Sequence, residues 1–191
     1  MAVAYHPRLF TVDEYHAMGE ANVFSPEEHV ELLDGEILTM PPIGPRHAGD
    51  VTRLTYLLIV AFGPRAVVRG QNPVHLDDYS EPQPDIALLR PRDDFYASRH
   101  PQPSDVLALI EVADTSLAYD RGKKLRAYAR RGIAEYWVVD LSRDEILVHR
   151  GPSAAGYAVE STASRGDTLA FAAFPNDTFL VDDLLPEPPA G

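Results

Sequence analysis

Two apolar runs joined by a strongly basic segment constrain this chain more than any other feature. Val106 to Val112 is continuous apart from one carboxylate, Glu111, and Tyr136 to Val139 is a second run closed by Asp140. A buried strand does not keep an ionised group without a reason. Between the runs, positions 121–131 carry six basic residues. Two buried strands linked by a helix of this length predict a crossover unit in a mixed sheet. The expected fold class is α/β (α+β).

The linking helix separates two adjacent lysines. At about 100° per residue, Leu125, Tyr128 and Ala129 share one arc, which should face the sheet. Lys124 lies at the edge of that arc, while Lys123 points nearly opposite, into water. Only Lys124 has a path back toward Glu111. Asp120, four residues earlier on the same edge, can pair with it. The alternative for Lys124 is one more solvated charge on a basic face.

Upstream of the crossover, Thr11-Val-Asp-Glu14 is a capping-box pattern that starts a helix ending near Gly19. Residues 28–40 read as a hairpin around Asp34-Gly35, with Glu31 on the face opposite Val30 and Leu32, where a strand carboxylate meets solvent. Pro41 to Pro45 is a rigid loop. Residues 46–62 show helical spacing through Val51, Leu54, Leu58 and Phe62, with His47 at the start of that helix as a surface or capping residue. Strands are expected at 66–69, 72–76 and 85–89, the middle one at an edge because of Pro73.

Asp85 stands at the first position of its strand. If strands 85–89 and 106–112 pair antiparallel, the start of one meets the end of the other, and Asp85 and Glu111 converge. Two converging carboxylates repel unless a proton or cation joins them, and a hard divalent metal is the natural third party. After Asp140 the chain reads as additional peripheral strands at 145–150, 157–161 and 168–171, followed by a short closing segment at 181–185 and a disordered tail at 186–191. The length of 191 residues fits one domain, with a core over about 10–185.

Zero cysteines exclude disulfides and thiolate metal sites. No apolar run approaches a membrane span, and the N-terminus lacks a signal-peptide pattern, so a soluble, cytoplasmic protein is expected. A net charge of −12 argues against nonspecific coating of nucleic acid, although a local basic strip can still meet a phosphate backbone. There is no Gly-rich phosphate loop and no His-Glu-x-x-His helix.

Several motifs in order resemble one family. They are Val30-Glu31-Leu-Leu-Asp-Gly35, the segment Pro42 to His47, Gln71-Asn-Pro-Val74, Pro84-Asp85, Glu111-Val-Ala-Asp114, Tyr119-Asp120-Arg-Gly-Lys-Lys124, Gly132-Ile133 and Glu135-Tyr-Trp-Val-Val-Asp140. Together, over about residues 10–185, they resemble the Uma family (DUF820) of the PD-(D/E)XK nuclease superfamily. That resemblance implies a restriction-endonuclease-like fold, with a mixed central sheet flanked by helices, and a Mg2+- or Mn2+-dependent endonuclease acting on DNA, with a homodimer by analogy. It makes Asp85 and Glu111 the motif acids and metal ligands, with the Val112 carbonyl as an extra ligand. The superfamily lysine is missing two residues after Glu111, where Ala113 stands, and the resemblance assigns its role to Lys124. Glu31 matches a further family acid, and His47 and Asp120 are additional candidates. Arg121, Lys123, Arg126, Arg130 and Arg131 are candidates for phosphate contacts or for plain solubility; Tyr128 and Trp137 are read as core. Two other function classes stay open: a non-catalytic module that keeps the fold and binds DNA or protein, and a hydrolase of a small phosphorylated substrate.

Overall fold

The computed structural model describes residues 6–185; the tail expected at 186–191 lies outside them. The capping box at Thr11 forms as read: Thr11 Oγ1 accepts from the Glu14 N–H at 3.2 Å, and Glu14 Oε2 accepts from the Thr11 N–H at 3.0 Å. Helix α1 follows (Val12–Glu20). Strands β1 (His29–Leu33) and β2 (Glu36–Met40) pair antiparallel. Their turn needs two positive φ angles, supplied by Asp34 (54°) and Gly35 (77°). A Cβ at Gly35 would stand 2.6 Å from Leu9 Cβ, so close chain approach as well as φ demands glycine there.

Helix α2 (Pro45–Phe62) begins with proline in its first turn, where a missing N–H costs nothing. It buries Val51, Leu54, Leu58 and Phe62, the expected stripe, together with Asp50. Strands β3 (Val67–Gly70) and β4 (Ile86–Leu89) come next. The stretch expected as a strand at 72–76 is not one. Val74 and Leu76 instead bond across a tight local loop, to Pro82 O and Ser80 O, so its apolar residues are buried without joining a sheet.

Strand β5 (Val106–Ala113) runs antiparallel to β4 and parallel to β6 (Glu135–Asp140), the crossover expected from the two apolar runs. The central sheet has six strands in the order β3-β4-β5-β6-β7-β8. Strands β7 (Glu145–Ser153) and β8 (Gly156–Ser164) thus extend the main sheet rather than lying apart from it. Beside the β1–β2 hairpin, β9 (Thr168–Ala170) and β10 (Thr178–Leu180) form a second separate pair, and a short helix, α5 (Val181–Leu184), closes the described chain.

Both faces of β5 are covered, which explains its near-unbroken hydrophobicity. Ala108, Ile110 and Val112 point into a core shared with α2, Trp137 and Phe171. Leu109 and Ala113 point into the other core, with Tyr128, Tyr136 and Val138. Trp137 stacks on Phe171 at a centroid distance of 4.0 Å.

The crossover helix departs from the simple reading. It comprises α3 (Leu117–Tyr119), a π-helical turn over Asp120–Lys124, and α4 (Leu125–Arg130). The wider turn shifts the angular register within the helix. Its buried residues become Asp120, Lys124, Ala127, Tyr128 and Ala129, while Leu125 is only partly covered. Lys124 is therefore inside, not at an edge. Among the described residues no helix is long and apolar enough to cross a membrane.

Candidate active site

The site is built where β4 begins and β5 ends. Ile86 pairs with Ile110, so the antiparallel register carries Asp85 alongside Glu111. The Asp85 N–H donates to Glu111 Oε2 at 3.3 Å, and the Val112 N–H donates to Asp85 Oδ2 at 2.8 Å. The other carboxylate oxygen of Asp85 accepts from His47 Nε2 at 2.9 Å and from Gln71 Nε2 at 3.4 Å. His47 is therefore not a capping residue: the start of α2 aims its ring at the end of the sheet. That hydrogen bond with Asp85 raises the His47 pKa against the opposing effect of burial, and the Val112 carbonyl adds to it.

From the opposite side, the π turn delivers Lys124. Its Nζ lies 3.0 Å from Glu111 Oε1 and 3.7 Å from Glu31 Oε2, and 5.6 Å from the centre of the Tyr119 ring. Glu111 Oε1 also accepts from the Tyr128 hydroxyl at 2.8 Å. Glu31, expected on a solvent face, is 1% exposed. The hairpin packs that face against the crossover helix and the chain leading into β4, so Tyr119 OH (2.8 Å) and the Gln83 N–H (3.0 Å) both donate to Glu31. Asp120 does take its place beside the cluster, but its hydrogen bond comes from Ser116 Oγ at 2.5 Å.

Four carboxylates, those of Glu31, Asp85, Glu111 and Asp120, thus cluster here, and two of them, Glu111 and Glu31, lie at 3.0 and 3.7 Å from the Lys124 ammonium. Burial drives the Glu111 pKa well above the ordinary carboxyl value; Lys124 opposes this, and the other three acids reinforce it. Burial likewise lifts Asp120 to about 6. Burial disfavours the charged form of Lys124, yet Glu111, Glu31 and Asp120 outweigh it and hold its pKa above the usual lysine value. Burial thus lifts the two carboxyl groups, and the neighbouring negative charge adds to that rise while it keeps Lys124 protonated against its own burial.

That negative charge, and a donor set of carboxylates and backbone carbonyl, fit a hard divalent cation. Among the described residues no group of three or more His, Cys, Asp or Glu has metal-holding geometry.

The basic strip is mostly neutralised. Arg121 meets Glu160 at 3.4 Å, Lys123 pairs with Glu36, and Arg130 bonds Asp34 at 2.7 Å. Arg131 reaches Asp34 at 2.9 Å and Asp77 at 2.6 Å. Lys123 is thus anchored to the hairpin rather than pointing freely into water. Arg126 is exposed.

The Uma2 family model, described as "putative restriction endonuclease", matches residues 12–182. This chain belongs to the Uma2 family. A crystal structure described as a "putative nuclease belonging to DUF820", from Anabaena variabilis ATCC 29413, superposes on this Uma2 chain with a TM-score of 0.71. The alignment covers 92% of this chain and 97% of that one at 15% identity, a likeness that establishes a shared mixed α/β fold. No curated protein matches the chain.

Tyr119, Gln71 and Gln83 join the cluster without a pattern in the sequence that marks them, and Tyr128, expected as core, also has a polar role. Tyr128 is fully buried, but a buried tyrosine hydroxyl needs a partner, and the carboxylate on the neighbouring strand was the signal available.

Proposed function

We propose that this Uma2 chain is a Mg2+- or Mn2+-dependent endonuclease that hydrolyses DNA phosphodiester bonds. The observation that carries the reading is the convergence of Asp85, Glu111 and Lys124 on one buried cleft floor, ringed by groups that fix each of them. Asp85 and Glu111 would hold the ion, with the Val112 carbonyl beside them. When bound, such an ion polarises the phosphate and lowers the pKa of an attacking water.

The rest of the chemistry falls to the chain's own groups. Tyr128 and Lys124 fix Glu111 Oε1, and the Val112 N–H and His47 fix Asp85. Glu31, itself held by Tyr119 and Gln83, keeps the Lys124 ammonium charged and aimed. Lys124 also lines the cleft, where a donor can stabilise charge growing on the phosphoryl oxygens. In the overall reaction the water oxygen bonds to phosphorus, the ester P–O bond to the leaving sugar oxygen breaks, and that oxygen takes up a proton. A homodimer is part of the same reading.

One observation favours a second reading, a module that keeps the fold without catalysis. Both oxygens of Glu111 and both of Asp85 already accept hydrogen bonds within the chain, so the site is satisfied without an ion. A nuclease assay with Mg2+ and with Mn2+ on plasmid and single-stranded DNA, run beside Asp85→Ala, separates the two. The proposal expects metal-dependent cutting that disappears in the variant; no cutting under any condition supports the module.

A further inference from the structure

The ion pairs of the crossover helix bear on the form of the substrate. A protein that grips duplex DNA draws affinity from Lys and Arg side chains that neutralise successive phosphates. Here Arg121, Lys123 and Arg130 are committed to Glu160, Glu36 and Asp34. They tie the helix to the hairpin and to β8, so most of the strip's charge already has a carboxylate partner, while Arg126 stays exposed on the same helix.

The cleft has a different character. It is a concave cavity of about 560 Å³, within the range that encloses one small organic group. Its acidic floor is deep: Glu31, Asp85 and Glu111 are 1%, 9% and 3% exposed. Its lining includes an apolar group, Val30 in β1, Met40 at the end of β2 and Pro41-Pro42-Ile43 leading into α2, with His29 beside Met40. Pro41 and Pro42 have no N–H to give, so this stretch is poor in donors for phosphates or base edges. Ile43 stands in this group 47% exposed. A donor-poor apolar wall complements the flat face of a base. In a duplex that face is covered by stacked neighbours, and it becomes available when a nucleotide is unpaired and splayed from its strand.

Resting on the nuclease reading, we propose that the scissile nucleotide enters unpaired, from single-stranded DNA. Its base sits against the Val30–Met40–Ile43 wall while its phosphate reaches the Asp85–Glu111 floor. The wall selects for an accessible base face and for no particular base, because every base presents such a face.

The test is fluorescence anisotropy with a labelled oligothymidylate, alone and annealed to oligodeoxyadenylate, with Ca2+ in place of Mg2+. Single strand should bind at least about tenfold tighter than duplex, and Ile43→Glu, which sets a charge against the base face, should lose about tenfold or more of that binding. Ile43→Leu should retain it. Thermal melting checks that Ile43→Glu, at a half-exposed position, is folded. Equal or tighter duplex binding, no binding of either, or an unchanged affinity in Ile43→Glu would overturn the proposal. Cleavage with Mn2+ distinguishes the two layers. Preferential cutting of duplex, lost in Asp85→Ala, would refute the unpaired substrate and leave the nuclease. Selective single-strand binding without cutting would refute the nuclease and leave the pocket assignment.

Discussion

Lys124 Nζ lies 3.0 Å from Glu111 Oε1, although the two residues belong to different elements and are 13 positions apart in the chain. The pair is almost wholly buried at the cleft floor, and Glu111 accepts from Tyr128 as well. Its geometry links stability and chemistry, because a change to either partner leaves a charge in a dry site.

Lys124→Ala should therefore destabilise the fold by about 3 kcal/mol, the scale for breaking a buried pair on one side. Replacing both partners, Lys124→Met with Glu111→Gln, should recover much of that loss. Urea unfolding of the single and double variants checks it; a double variant no better than Lys124→Ala would mean that the pair is not the coupled unit.

Tyr128→Phe removes one donor to Glu111 and nothing else of similar size. An expected cost of about 1–2 kcal/mol should appear in the urea midpoint. Single-turnover cleavage should also slow, since Glu111 loses one of the groups that orient it. A variant with unaltered stability and rate would show that the hydroxyl contact is dispensable.

The hairpin turn is clamped to the crossover helix through Asp34. Burial works against its charge, but the hydrogen bonds from Arg130 and Arg131 outweigh this and hold its pKa below the ordinary value. A depressed carboxyl pKa stabilises the fold above the unfolded-state value of about 3.9 and loses that contribution as pH falls through the folded-state value. Asp34→Asn should thus cost up to about 1 kcal/mol at neutral pH, the pair being partly exposed, and the gap to the unmodified chain should narrow in melts below about pH 4. A gap that widens on acidification would reverse the sign and contradict the clamp.

A shared ion makes a linkage prediction. Mg2+ or Mn2+ should raise the melting temperature in a concentration-dependent way, by preferential binding to the folded state. Glu111→Gln should weaken that gain. An equal gain in the variant would place the ion elsewhere on this acidic chain.

The convergence of Asp85 and Glu111 was legible for a simple reason: strand pairing is a one-dimensional register, and Asp85, immediately before β4, must meet the end of an antiparallel β5. The apolar runs of β5 and β6 likewise announced a crossover because both sheet faces are covered. Lys124 was selected by angle, but its depth was not readable, because a π turn changes the period on which any helical-wheel argument rests. Glu31 was misread for a related reason: alternation tells which face a strand residue takes, not whether a helix later covers that face. Strand β8 is largely exposed, with Ala163 buried, so nothing in its pattern tied it to the central sheet. The segment 72–76 had strand-like apolar residues whose backbone partners lie in its own loop, a choice made by tertiary context.

The most direct test of the cluster as an active site is single-turnover cleavage of single-stranded and plasmid DNA with Mn2+ by the unmodified chain, Lys123→Ala, Lys124→Arg and Asp85→Ala. The unmodified chain should cut, and Lys123→Ala should cut nearly as fast, because its charge only braces the hairpin. Lys124→Arg should fall by about 100-fold, as expected when a compact donor to a developing oxyanion is replaced by a planar one, and Asp85→Ala should be inactive. Equal rates for Lys123→Ala and Lys124→Arg, or undiminished cutting by Asp85→Ala, would contradict the account.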